Sequence, residues 1–131
     1  MARIPADIWR FCMEQIKLYP LRYEHYEEEK ARIEKSLLRV GSSFGVETSS
    51  GLPVKEHIEH SSMQWLERNI MKMNDVIRGL EPEEKAVLES IWELGWRDNQ
   101  LLSEKLGFSV RTVANHKHTL VKRVAVRWGM L

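Results

Sequence analysis

The chain has 131 residues, of which 30% are charged and 43% hydrophobic, and its formal net charge is +1. That length suits one domain, or a small domain with an added helical arm. No apolar run approaches the roughly 18 residues of a membrane-crossing helix, and the amino terminus, with Pro5, Asp7 and Glu14, lacks a basic-then-apolar leader pattern. The single cysteine, Cys12, has no internal disulfide partner. It is expected to be a small core residue in a reducing cytosol.

Strand alternation and hairpin turns are almost absent and helical spacing dominates, so an all-α fold is expected. A first helix is predicted from Pro5 to Tyr19, with Ile8, Phe11, Cys12 and Gln15 on one side. Pro20 is then expected to break it or to open the next helix. That next helix, Leu21 to Val40, carries Tyr23, Tyr26, Lys30, Ile33, Leu37 and Val40 at spacings of three and four. Glu27, Glu28 and Glu29 are read as a solvated face.

Residues 41–53 form a Gly/Ser/Pro linker in which Phe44 and Val46 are the apolar residues. A third helix is predicted over Val54 to Arg78, with Met63, Leu66, Ile70, Met73, Ile77 and Leu80 repeating the three-four spacing. This stripe fits either a hairpin with the second helix or a homodimer seam, and both readings stay open. His57 and His60 share a face, but two imidazoles without a third ligand make a poor metal site. Residues 1–80 therefore read as a helical arm or hairpin, and residues 81–131 as a separate unit.

That second unit opens with Glu81, Pro82, Glu83 and Glu84, an acidic helix start favourable to the helix dipole. Val87, Leu88, Ile91, Trp92 and Leu94 follow as an apolar face. Gly95 and Trp96 turn the chain, and Asp98 caps a short helix ending at Leu106. Gly107 supplies the left-handed residue that stops it, and Ser109 caps the last helix. Trp92, Trp96 and Trp128 read as core and edge residues, since no basic-aromatic interleaving marks a base-stacking surface.

The last helix divides into two sides. With Val113 facing the core, Val110, Lys117, Leu120, Val121 and Val124 fall within about 80° of it, stepping about 100° per residue. The stem of Lys117 is expected to lie along the edge with its amine in solvent. Arg111, Asn115, His118 and Lys122 fall within about 40° of the opposite direction. Residues 97–131 hold seven Lys/Arg against two Asp/Glu, a balance of +5, whereas residues 1–96 carry −4. The basic end thus coincides with this helix.

Such side chains suit double-stranded DNA. Arg111 matches the acceptors of guanine and Asn115 the edge of adenine. Thr112, His118 and Thr119 complete the expected base-reading set. Arg97, Ser109, Lys117, Lys122, Arg123 and Arg127 are expected at phosphates; His116 is expected either to donate to a phosphate or, the preferred reading, to pack against the preceding helix while lying near the DNA backbone. A solvated face on an ordinary helix would share this polarity; the short preceding helix, Gly107, the Ser109 cap and the local charge favour a recognition helix.

The segment Gly95 to His116, GWRDNQLLSEKLGFSVRTVANH, resembles the helix-turn-helix of sigma factor region 4 and the LuxR-type regulators. Asn99, Leu102, Leu106, Ser109, Thr112, Val113 and His116 match that pattern in order and spacing; Ser103 departs from its preferred alanine. The whole chain resembles the small phage transcription regulators of the RinA/ArpU type. The shared layout is an early Arg3 to Pro5, a helix ending at Tyr19-Pro20, an acidic helix and a Gly/Ser/Pro loop. A long helix with Leu66 to Leu80 and the sigma-like unit complete it. The resemblance implies sequence-specific binding near a phage promoter and control of late genes.

The expected function is DNA-binding transcription regulation in the host bacterial cytoplasm, with the amino-terminal helices dimerising or touching RNA polymerase. The rival is the small terminase subunit of phage DNA packaging, which also joins a helix-turn-helix to oligomerising helices. No nucleophile motif, phosphate loop, metal triad or cofactor motif suggests an enzyme.

Overall fold

The computed structural model describes the backbone of residues 3–42 and 54–131, and the side chains of residues 3–35 and 63–131. The chain is all-α: α1 (Ala6–Ser42), α2 (Val54–Arg78), α3 (Pro82–Leu94), α4 (Asn99–Leu106) and α5 (Val110–Arg127). Among the described residues there is no strand, and no helix is long and apolar enough to cross a membrane. Phe44, Val46 and the side chains of His57 and His60 lie outside the described residues.

Contrary to the expected break, Pro20 lies inside α1 and does not end it. A proline within a helix lacks the N–H that would bond the carbonyl four residues earlier, typically at a cost of about 3 kcal/mol or more. Here that carbonyl belongs to Ile16, and the Trp92 indole N–H donates to it at 2.8 Å. Tyr19 stacks on the same indole, with centroids 5.4 Å apart and planes 21° apart. A donor from α3 thus replaces the one that proline lacks, and α1 continues.

A second difference lies in how the chain divides. One compact unit takes in residues 1–20 and 71–131, the other residues 21–70; the division does not fall between residues 80 and 81. The reason is shared burial. Cys12 and Ile16 of α1 and Met73 and Val76 of α2 join one core with Val87, Leu88, Ile91, Leu102, Val113, Leu120, Val121 and Val124. Cys12 is fully enclosed, and burial pushes its thiol up to about 11, which leaves it protonated and unreactive at neutral pH.

Within the other unit Leu66 and Ile70 are buried, so part of the α2 apolar stripe is already covered inside a single chain. The Arg22 guanidinium lies over the Trp65 ring at 5.1 Å, a cation–π contact between the two long helices. Glu29 pairs with Arg32 at 2.8 Å, one turn along α1.

Candidate nucleic-acid interface

The site is built on α3, α4 and α5, which pack on one another. Local chemistry sets their ends. The Asp98 carboxylate accepts from the Leu101 N–H at 3.0 Å and starts α4. Gly107 ends α4 in the left-handed region, φ 74°, where a Cβ would be strained. The Ser109 hydroxyl oxygen accepts from the Thr112 N–H at 3.1 Å and starts α5. Ser103, the departure from alanine, has a use here. Its hydroxyl donates to the Phe108 carbonyl and braces the turn between α4 and α5.

Burial behind the turn fixes α5. Leu102 of α4 and Val113, Leu120, Val121 and Val124 of α5 are all essentially inaccessible, each contributing about 1.5–3 kcal/mol of hydrophobic burial. Val110 is the exception on the predicted inner face, 41% exposed at the first helical position.

The outer face differs along its length. Arg111 and Asn115 are exposed, and among the described residues neither side chain makes a hydrogen bond or ion pair. The Thr112 hydroxyl accepts from Ser109 at 2.8 Å, and the Thr119 hydroxyl donates to the Asn115 carbonyl at 3.1 Å. Both hydroxyls therefore have partners within the helix or its cap. His118 is half-buried, its ring 6.0 Å from that of Trp9 at the start of α1. Trp9 also meets Trp96 edge-on at 6.1 Å. The imidazole expected to stand clear of the protein is instead packed against α1.

Lys117 does not reach solvent: it is 5% exposed and its amine donates to the Trp96 carbonyl and to Asn99 Oδ1. It also lies 5.0 Å from the Trp96 ring centroid. The reason is its position on the apolar stripe between Val113 and Leu120. Polar groups of the α3–α4 connection meet it there, and it bolts α4 to α5. Desolvation pushes its pKa down, partly opposed by the nearby Asp98 carboxylate. His116 packs against Phe108 at 5.8 Å, and its enclosed Nε2 lies 3.4 Å from Glu83, so that nitrogen is turned away from a phosphate.

Folding also redistributes the basic excess of the carboxyl end. Arg123 pairs with Glu84 through two contacts of 3.0 and 3.3 Å. Arg127 holds Asp75 at 3.0 and 2.9 Å, and Lys105 pairs with Glu93. All three carboxylates precede residue 97, in the part of the sequence whose net charge is negative. Of the seven cations in residues 97–131, Arg97, Arg111, Lys117 and Lys122 form no ion pair among the described residues, and of these Lys117 is held by the Trp96 carbonyl and Asn99. Asp75, Val76, Thr119, Lys122, Arg123 and Arg127 line an open groove between the end of α2 and the second half of α5. No group of three or more possible metal-ligating side chains occurs among the described residues.

No family model, curated protein or solved structure matches the chain.

Proposed function

We propose that the chain is a sequence-specific DNA-binding transcription regulator, without enzymatic activity, of the phage or prophage type that activates late genes from within the host cytoplasm. The observation that carries this reading is the first half of α5. There Arg111 and Asn115 stand exposed without side-chain partners among the described residues, on a helix capped by Ser109 and held from behind by α3 and α4. An arginine and an asparagine four residues apart on a rigid helix supply the two bidentate donor patterns suited to guanine and adenine in the major groove. Arg97 and Lys122 are placed in the phosphate-contacting set. The two long helices are assigned to homodimerisation or to contact with RNA polymerase.

The test is selection from random DNA duplexes, with binding measured at several salt concentrations. The expected result is one enriched motif and affinity that falls steeply with salt. Equal binding to every duplex overturns the reading. Light scattering separates the regulator from the packaging protein: a monomer or dimer agrees with regulation, and a ring of many subunits favours a terminase.

A further inference from the structure

We infer that Asp75, with Glu84, acts as a built-in competitor for DNA phosphate and so lowers the electrostatic part of binding to any duplex. The inference rests on the DNA-binding reading above. Arg127 gives Nε and Nη2 to one Asp75 oxygen, at 3.0 and 2.9 Å. Arg78 approaches the other Asp75 oxygen at 3.9 Å. Arg123 and Glu84 meet fork to fork. Both arginines lie on the wall of the groove that also contains Lys122 and Thr119. A phosphate approaching there meets guanidinium groups that have already given two of their five N–H donors, and part of their charge, to a carboxylate.

The exchange has a sign. Non-specific binding is almost wholly electrostatic, whereas specific binding adds base contacts. Carboxylates that occupy two arginines therefore weaken the phosphate contacts that both modes share. They leave Arg111 and Asn115, in the first half of the helix, untouched. Asp75 and Arg127 are each a little over 40% exposed, so their pair is partly hydrated and contributes little to stability. Removing the carboxylate therefore tests binding without unfolding the chain.

The experiment compares the intact protein with Asp75→Asn on a random-sequence duplex and on a duplex carrying the selected motif. Melting curves establish that both are folded. Asp75→Asn is expected to bind the random duplex about two- to fivefold tighter, with a salt slope steeper by up to about 0.9. It gains about the same factor on the selected motif, so its specificity ratio stays near that of the intact protein. The gain disappears when Asp75→Asn is combined with Arg127→Ala. Glu89→Gln removes an exposed carboxylate that forms no ion pair among the described residues, and it should leave binding near that of the intact protein. Unchanged or weaker binding by Asp75→Asn overturns the inference, as does an equal gain from Glu89→Gln. An intact protein that binds neither duplex overturns the DNA reading as well.

Discussion

In the first half of α5, Arg111 and Asn115 are exposed and have no side-chain partner among the described residues. From Lys117 onward, three of the four cations are already engaged: Lys117 with Trp96 and Asn99, Arg123 with Glu84, Arg127 with Asp75. A single helix thus presents one segment available to a ligand and another committed to the protein itself. The difference shows why charge counted along a sequence is a poor guide to charge available at a surface. The partners that neutralise the second half come from α2 and α3, and only the fold brings them there.

A cavity in the committed half should have the largest effect. Leu120→Ala is expected to cost about 2–5 kcal/mol of stability in urea unfolding, while molecules that remain folded keep their base preference. A changed preference would mean that the second half reads bases too. In the available half, Arg111→Ala and Asn115→Ala should each lose about 1–3 kcal/mol of discrimination at one base position with little change in melting. Ser109→Ala removes the α5 cap and should cost about 1 kcal/mol of stability. Lys122→Ala should weaken binding to all duplexes alike and lower the salt slope by about 0.9.

Lys117 adds a pH test. Its amine is pushed below the ordinary value of 10.5 in the folded chain, so the unfolded chain holds that proton more tightly. The stability difference between the intact protein and Lys117→Met should therefore shift in favour of the intact protein as pH rises from the lowered value to 10.5. A flat difference across that window would show that the amine is not desolvated.

Much of this unit was legible in the sequence because its determinants are local. Asp98, Gly107 and Ser109 each act within a few residues, and α2 to α5 end close to where capping chemistry places them. What escaped depends on distant partners. The continuity of α1 through Pro20 requires Trp92, 76 residues from the Ile16 carbonyl it satisfies. Arg127 finds Asp75 across 52 residues. The membership of Cys12 and Ile16 in the carboxyl-terminal core likewise has no local signature. Lys117 did carry a signal: it stood on the apolar stripe of α5, and a lysine there is more economically placed inside with carbonyl partners than stretched to the edge. His118 sat on the polar side by periodicity, and only the placement of Trp9 draws it inward.

The most direct measurement of the central claim is guanine N7 methylation interference on the selected duplex, made in parallel with the intact protein and with Arg111→Ala. If Arg111 reads a guanine, methylating one guanine in the site blocks the intact protein, and Arg111→Ala is indifferent to methylation at that position alone. The same interference pattern for both proteins would contradict base reading by the first half of α5.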